Sequence, residues 1–274
     1  MVYRFFEFEV ARTRRVSPSV QRVTFRGVTP GALAEFASGG RDQRFKLFFP
    51  QPGQDFAVVP VEAGENWYAQ WRGMDPNVRA LMRTYTVREQ RRELGEVDVD
   101  FAVHLGPGPA AAWALTCLAG DRITALGPTE AENAGIDFRP PPETDWILLA
   151  GDESALPAIA GILEWISPAT PVRAWIEVGH CDDVQALHTW ADAEITWLVR
   201  GHGPALTTAI DEARLPDGTP YAWIGGEAGE VRRLRRTLLT TGFDRKRVTF
   251  TGYWRRGATE EQLLAELYAE SASA

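Results

Sequence analysis

Four consecutive residues, Arg83-Thr84-Tyr85-Thr86, bring a guanidinium, two hydroxyls and an aromatic ring into one short segment. A guanidinium can pair with an anion, and an aromatic ring can lie against a flat molecule. Thr, Tyr and Val also favour a pleated backbone, so residues 82–88 are predicted to form a strand with Arg83 and Tyr85 on one face. An ordinary half-exposed strand has the same composition, and the interpretation therefore depends on the surrounding elements.

Charged residues are unevenly distributed along the chain. Asp and Glu outnumber Lys and Arg by 37 to 29, and the formal net charge is −8. A general nucleic-acid-binding protein would be basic, so we expect no nucleic acid among the partners. The arginines nonetheless form clusters, which can bind an anionic small molecule or simply be solvated surface, at residues 12–15, 88–92, 232–236 and 255–256.

Cysteine and histidine are too few and too scattered to predict a resident metal centre. The only cysteines are Cys117 and Cys181, and the four histidines lack the spacing of an HExxH zinc site. We therefore expect no disulfide framework, no bound metal and a reducing cytoplasm as the compartment. The N-terminal residues carry Glu7 and Glu9 where a signal peptide needs an apolar run, and no stretch approaches the ~20 apolar residues of a membrane span.

The first half of the chain has the pattern of short strands separated by turns. Strands are predicted at 4–28 (two strands joined by a turn), 45–49, 57–61, 82–88, 97–103 and 122–126, and one helix at 110–119. Many short strands with intervening turn residues are typical of an antiparallel β-barrel. We assign this domain to residues 1–131.

The second half has a different pattern, which begins after a proline-rich linker at residues 132–145. Apolar runs alternate with predicted helices, as in a mostly parallel sheet covered by helices on both faces. The runs lie at 146–150, 172–178, 195–199, 221–224 and 248–253, and the helices at 155–166, 183–190, 206–213, 228–241 and 259–270. We assign this α/β domain to residues 146–274, and its ligands are expected at the carboxyl ends of the strands.

Several motifs along the chain resemble those of one family. Arg83-Thr84-Tyr85-Thr86 matches the Arg-x-Tyr-Ser/Thr flavin motif of the ferredoxin–NADP reductase superfamily. More narrowly, the chain resembles the siderophore-interacting proteins, which are FAD-dependent ferric-siderophore reductases. Other matching segments follow in the expected order, at residues 45–50, 100–104, 106–114, 150–158, 197–200 and 252–257. The resemblance implies a ferredoxin-reductase-like fold, with an FAD-binding β-barrel followed by an NAD(P)H-binding α/β domain.

The resemblance implies that FAD binds around the predicted strand 82–88. Tyr85 would lie against the isoalloxazine, Arg83 would pair with the pyrophosphate, and Thr86, the candidate catalytic residue, would offer its hydroxyl or backbone N–H to flavin N5. The helix that begins near residue 110 would present free N–H groups to a phosphate, although a tight turn with a structural His104 is the alternative. The other residues assigned to the flavin are Thr84, Asp100, Phe101, Val103, His104, Gly108, Ala110, Ala111, Ala112, Trp113 and Thr129.

A nicotinamide nucleotide is expected at the carboxyl end of the α/β sheet. The segment after the first strand of this domain is not a GxGxxG sequence, and Asp152 or Ser154 could instead cap the following helix. Arg200 could meet a 2′-phosphate, whereas Asp182 and Asp183 would discourage one, so the choice between NADPH and NADH stays open. The residues assigned to the nucleotide end are Asp152, Glu153, Ser154, Ala155, Arg200, Gly226 and Glu227.

A basic rim is expected to receive the substrate. Lys46 would point to the opposite side of its strand from its apolar neighbours, and with Arg255 and Arg256 it would attract an anionic ferric siderophore. A solvated surface charge is the alternative for each of the three. Trp254 is assigned to cofactor binding, where it would either cover the flavin or pack under the last helix.

The activity that the resemblance implies is electron transfer from NADPH or NADH through FAD to Fe(III) held in a siderophore. Because the chain has no cysteine cluster, the flavin would reduce its substrate directly. We expect a cytoplasmic monomer that does not insert into a membrane. Two alternatives stay open: a reductase of the same fold that uses ferredoxin, flavodoxin or another acceptor, and a siderophore-binding flavoprotein without turnover.

Overall fold

The computed structural model describes residues 2–103, 108–258 and 262, and the chain divides into two compact units. The first unit comprises Met1–Val16 and Val20–Ile136, and the second comprises Ser17–Ser19 and Asp137–Ala274. Residues 132–145, predicted as a linker, contain no helix or strand.

The first unit is built on a seven-stranded sheet with the order β4-β3-β7-β1-β2-β6-β5. Its strands are β1 (Tyr3–Ser17), β2 (Val20–Gly27), β3 (Arg44–Phe49), β4 (Leu81–Thr86), β5 (Glu89–Arg91), β6 (Glu96–Ala102) and β7 (Arg122–Pro128). The pairs β1–β7, β2–β6, β3–β4, β3–β7 and β5–β6 are antiparallel. The Tyr85 ring on β4 nonetheless lies 4.4 Å from the Phe101 ring on β6. Because these strands are far apart in the sheet order, the contact requires the sheet to curl into a half-barrel.

Alternating side chains fill the inside of this curled sheet. Phe8 and Val10 on β1 and Phe25 on β2 are fully buried, whereas Glu7 is exposed. The Phe8 and Phe25 rings are 5.4 Å apart. The period of two that predicted these strands is therefore the period of the core.

Two parts of the first unit differ from the prediction. The strand predicted at 57–61 is wrong, because the Val61 amide donates to the Val59 carbonyl over 2.9 Å and closes a tight turn centred on Pro60. A 3-10 helix (Val61–Asn66) and the helix α1 (Trp67–Gly73) follow, and neither is predicted by the sequence. The predicted helix 110–119 is present as α2 (Pro109–Thr116).

The second unit contains a five-stranded parallel sheet with the order β10-β9-β8-β11-β12. Its strands are β8 (Trp146–Asp152), β9 (Pro171–Val178), β10 (Asp192–Val199), β11 (Pro220–Glu227) and β12 (Val248–Trp254). The helices are α3 (Leu156–Trp165), α4 (Leu206–Asp211) and α5 (Ala228–Thr240). α3 belongs to one apolar cluster, whereas α4 and α5 belong to another, so helices cover both faces of the sheet as predicted.

One predicted helix of this unit is wrong and another is not described. Residues 183–190 contain only the end of a 3-10 helix (Cys181–Asp183), which the buried Asp183 carboxylate closes by accepting from the His180 amide over 3.0 Å. Exposure then alternates from residue 184 to 190 with a period of two, which a helix cannot match. The predicted helix 259–270 lies outside the described residues, apart from Gln262.

The two cysteines are both free thiols in very different surroundings. Cys117, at the end of α2, is buried, and Cys181, after β9, is exposed. Burial, followed by the nearby negative charge of Asp121, raises the pKa of Cys117 to about 12. In the part of the chain that the structure describes, no helix combines the length and apolar character needed to cross a bilayer.

Candidate functional site

The segment Arg83-Thr84-Tyr85-Thr86 lies on β4, as its residue types predict. β4 pairs with β3, so Tyr85 lies opposite Phe45 and Thr84 lies opposite Lys46. Thr86 is buried at 6% exposure, and Arg83, Thr84 and Tyr85 are half-buried. The side chains of Arg83, Thr84 and Tyr85 are therefore partly accessible to a ligand, whereas that of Thr86 is almost fully covered.

The Tyr85 ring is held by two phenylalanines. It lies 4.4 Å from the ring of Phe101 and 6.3 Å from the ring of Phe49, both of which are buried. Tilted and edge-on contacts of this kind fix a ring in one orientation. Tyr85 is thus a half-covered ring on a rigid support.

Lys46 lies on the opposite face of the same strand pair from Tyr85. Its ammonium donates to the Thr84 hydroxyl over 2.5 Å, and both side chains are half-buried. A lysine on a strand pair is held more firmly than one on a loop, because both backbones belong to the sheet. The structure therefore places the candidate substrate residue Lys46 in contact with the candidate flavin residue Thr84.

The carboxylate of Asp100 is engaged within the sheet. Arg22 donates to it twice, from Nε over 2.6 Å and from Nη2 over 2.8 Å. Asp98, two residues earlier on β6, accepts from Arg91 over 2.6 and 2.9 Å and from the Thr24 hydroxyl over 2.6 Å. The predicted flavin residue Asp100 thus has a bidentate partner in Arg22, a residue that the sequence did not single out.

The start of α2 has the features of an anion site. Among the described residues, no side chain caps the helix and no acidic residue lies in its first turn. Ala110 and Ala111 are buried, and the space around Gly108 is open. Trp113 packs its ring on Phe49, 5.1 Å away. Uncapped N–H groups with small side chains around them suit a phosphate.

Three other residues assigned to the flavin are Val103, His104 and Thr129. Val103 follows β6 and Thr129 follows β7, and both are half-buried. His104 lies outside the described residues.

In the second unit, Asp152 is the residue that connects the predicted nucleotide segment to other strands. It ends β8 and is buried at 7% exposure. Its Oδ2 accepts from the Glu227 amide over 2.8 Å and from Trp254 Nε1 over 2.9 Å. Its Oδ1 accepts from the Ser154 amide over 2.9 Å and from the Ser154 hydroxyl over 2.5 Å. Neither Asp152 nor Ser154 caps α3, whose N-cap residue is Ala155.

Arg200 lies beside the same segment and is paired with two carboxylates. Its Nη atoms donate to both oxygens of Glu153 over 3.0 and 2.9 Å, and its Nε donates to Glu177 over 2.8 Å. The Glu153 side chain is 1% exposed, whereas Arg200 is 41% exposed. The hydrogen bonding to Glu153 is the main reason why the pKa of Arg200 lies above its usual value. An anion that reaches Arg200 would share it with these carboxylates.

Glu227 caps the helix that follows it. Its carboxylate accepts from the amides of Gly229 and Glu230 over 2.6 and 2.9 Å, and from the Arg256 amide over 3.4 Å. Burial opposes ionisation of Glu227, but these backbone hydrogen bonds outweigh it and lower its pKa. Arg255 is half-buried and Arg256 is exposed. The ends of β11 and β12 are therefore joined through Glu227.

Within residues 2–103 and 108–258, no three His, Cys, Asp or Glu side chains are grouped as metal ligands. The partners that sequence reasoning missed are Arg22, Arg91 and Glu177. Arg22 lies opposite Asp100 and Glu177 lies opposite Asp152, whereas Arg91 lies on β5, which pairs with β6, the strand of Asp100. The pairing of strands distant in sequence was the missing information.

Two family models match this chain. Residues 9–132 match the siderophore-interacting FAD-binding domain, and residues 144–257 match the model described as siderophore-interacting protein. Together they cover nearly all of both sheets.

Named relatives and a solved structure match over the same length. Ferric vibriobactin reductase ViuB of Vibrio cholerae is 31% identical over 262 residues, which cover 92% of this chain and 90% of that protein. The NADPH-dependent ferric-chelate reductase of Escherichia coli is 31% identical over 256 residues, with 92% and 93% covered. The crystal structure of the siderophore-interacting protein SipS from Aeromonas hydrophila has a TM-score of 0.78 and 31% identity, with 100% of both chains covered. The similarity thus extends over both sheets and not over one shared domain.

Proposed function

Because the chain belongs to the siderophore-interacting protein family, we propose that it is an FAD-dependent ferric-siderophore reductase that draws its electrons from NADPH or NADH. The observation that carries the proposal is the alignment of 92% of the chain with two relatives that are named as ferric reductases. When bound, FAD accepts two electrons from one nicotinamide nucleotide and gives one to each of two ferric ions.

The residues of the first unit fit a flavin nucleotide. The half-covered Tyr85 ring, supported by Phe101, offers a face for the isoalloxazine. Thr86 ends the same strand and would hydrogen-bond the flavin through its hydroxyl or backbone N–H, and Arg83 would pair with the pyrophosphate. The uncapped start of α2 would receive a phosphate, since its first turn has no acidic side chain among the described residues.

The second unit fits the nicotinamide nucleotide at the carboxyl edge of its sheet. A Cβ atom at position 151 would lie 2.6 Å from the Gly225 carbonyl oxygen, so the close approach of β8 and β11 at this point requires glycine at position 151. Residues 152–155 and 226–227, with Arg200, surround this edge. Ligands of parallel sheets bind at such an edge.

The substrate is a ferric siderophore, and its chemistry supports a role for local positive charge. The whole chain carries a formal charge of −8, so an anionic chelate is repelled except near an arginine or lysine that is at least partly exposed. Lys46, Arg255 and Arg256 are the cations assigned to this role. We propose a monomer in the cytoplasm, a reducing compartment in which Cys117 and Cys181 stay as thiols.

Stopped-flow spectroscopy of the purified protein tests the function. NADPH or NADH should bleach the flavin absorbance, and a ferric siderophore with a ferrous chelator present should then restore it and produce the ferrous-chelate colour. Absence of bleaching by both nucleotides would refute a nicotinamide-dependent reductase. Bleaching without any ferrous signal from a panel of ferric siderophores would point instead to another electron acceptor.

A further inference from the structure

The buried carboxylate of Asp152 joins the carboxyl ends of three strands. It belongs to β8, and its Oδ2 accepts from the backbone of β11 at Glu227 and from the indole of β12 at Trp254. Its Oδ1 accepts from both donors of Ser154. Both carboxylate oxygens are thus engaged by two donors each, and the group is 7% exposed.

The backbone around this carboxylate is built to admit it. Gly226 has φ of +135°, and a Cβ atom at that position would lie 2.7 Å from Asp152 Oδ2. The register between β11 and β12 also shifts between Gly226 and Glu227. The bend that results points the Glu227 amide at the carboxylate. A side chain at position 226 would therefore be excluded both by its backbone conformation and by Asp152.

We infer that Asp152 is a positioning residue: it holds the indole of Trp254 and the turn at Gly226–Glu227 in place at the nucleotide edge of the second sheet. This inference rests on the proposed function, which assigns that edge to the nicotinamide nucleotide. Trp254 is half-buried, and its indole N–H donates to the Asp152 carboxylate. An indole held through its N–H keeps one orientation, whereas an untethered ring samples several rotamers.

The chemistry of the cluster favours an acceptor at position 152. Burial, opposed by the hydrogen bond from Ser154, raises the pKa of Asp152. The four donors that surround the carboxylate require acceptors, and a side chain without oxygen would leave the Glu227 amide unsatisfied. Removal of the carboxylate therefore releases both the Glu227 amide and the indole, whereas removal of the indole N–H releases only the indole.

The first test is spectroscopic and does not depend on activity. In the FAD-loaded protein labelled with ¹⁵N, the indole N–H signal that disappears in Trp254→Phe belongs to Trp254. In Asp152→Ala this signal should shift and exchange with solvent at least about tenfold faster. An unmoved and equally protected signal would overturn the inference. Trp190→Phe, which removes an indole that is 69% exposed, should leave the Trp254 signal unchanged.

The second test measures binding of the oxidised nucleotides NADP⁺ and NAD⁺ by calorimetry, so no turnover is needed. Asp152→Ala and Trp254→Phe should each weaken binding of the preferred nucleotide about tenfold, and the double variant should be weakened by less than the two effects combined, because both remove the bond between Asp152 and Trp254. FAD content should not change. Asp192→Ala, at the exposed start of β10, is the matched control.

The outcomes separate this inference from the proposed function. Equal nucleotide affinity in native protein and both variants would refute the positioning role while the reductase function stands. If the native protein bound neither nucleotide, the positioning role would likewise be refuted, because no nucleotide would then bind at the edge that Asp152 organises. If neither nucleotide reduced the flavin of the native protein, but nucleotide binding depended on Asp152 and Trp254, the reductase function would be refuted and the positioning role would stand. If Asp152→Ala fails to fold, Asp152→Asn, which replaces one acceptor oxygen with a donor, takes its place in both tests.

Discussion

Lys46 and Thr84 face each other across β3 and β4, and the Lys46 ammonium donates to the Thr84 hydroxyl over 2.5 Å. The charge of one candidate substrate residue is therefore fixed next to the segment that is proposed to hold the flavin. A positive charge in this place can attract an anionic chelate and also favour its orientation.

Replacing Lys46 with alanine should raise the KM for an anionic ferric siderophore by roughly three- to tenfold, since the lost charge contributes mostly to encounter and orientation. FAD content should change little, because the Thr84 hydroxyl can rotate to another partner. Lys246→Ala is the matched control, because Lys246 is exposed and is the only other lysine of the chain. Steady-state kinetics at two salt concentrations measure the effect. A KM equal to the native value would remove Lys46 from the substrate site.

Tyr85→Ala should lower the affinity for FAD by about tenfold or more, because the stacking face is lost. The Tyr85 ring also packs on Phe101, so the free energy of unfolding should fall by about 2–4 kcal/mol. Tyr85→Phe keeps the ring and should retain most of the FAD. Tyr68→Ala removes a half-buried tyrosine of α1 and serves as the control for lost packing. Absorbance of released flavin gives the occupancy, and full occupancy in Tyr85→Ala would contradict the assignment.

Arg200→Gln separates a role in nucleotide choice from a role in stability. Glu153 would lose its bidentate partner in a buried place, so we expect a loss of about 1–3 kcal/mol, moderated by the partial exposure of Arg200. If Arg200 binds the 2′-phosphate, the ratio of kcat/KM for NADPH to that for NADH should also fall, by roughly tenfold. Arg200→Lys keeps the charge and should have a smaller effect on the ratio. A lower Tm with an unchanged ratio would leave Arg200 with a structural role only.

The carboxylates on β6 should make the protein sensitive to acid. Burial opposes ionisation of Asp98, but the hydrogen bonds from Arg91 and Thr24 outweigh it, and its pKa lies below the ordinary 3.8. The hydrogen bond from Arg12 is the main cause that lowers the pKa of Glu96 below 4.5. The stabilisation is present above the ordinary pKa of each group and is lost as the pH falls through the lowered one. The free energy of unfolding should therefore be level near neutrality and decline below about pH 4.5.

Urea unfolding between pH 3 and 7 measures this dependence. Asp98→Asn should lower stability at pH 7 by about 2–3 kcal/mol, because Arg91 and Arg22 lose a buried charged partner, and should make the acid decline shallower. Asp55→Asn, which changes an exposed carboxylate of the same unit, should do neither. An acid decline of the same slope in Asp98→Asn would show that other carboxylates cause it.

Strands in which apolar and polar side chains alternate with a period of two were predictable from the sequence. Phe6, Phe8 and Val10 alternate with acidic residues, and the core of the first unit is built on that period. The apolar runs of the central strands β8 and β11 are buried on both faces, which is typical of a parallel sheet. The residues 57–61 mixed β-branched side chains with Pro60, and local turn formation prevailed over strand propensity.

The candidate site was predictable in its segments and not in its connections. The strand of Tyr85 and the turn after β8 were both expected from residue type and position. The bond between Asp152 and Trp254 joins residues 102 positions apart, and the pair Arg22–Asp100 joins residues 78 apart. No periodicity or motif in the sequence indicates either contact, because only the order of the strands in the sheet brings such residues together.

The two thiols differ enough in exposure to allow selective labelling of one of them. Cys117 is buried with a pKa near 12, so it has almost no thiolate at neutral pH, whereas Cys181 is exposed at the end of β9. A maleimide dye should therefore attach to the native sequence at one position only. A probe at Cys181, beside the edge proposed for the nucleotide, would turn the unmutated protein into an optical reporter of cofactor arrival.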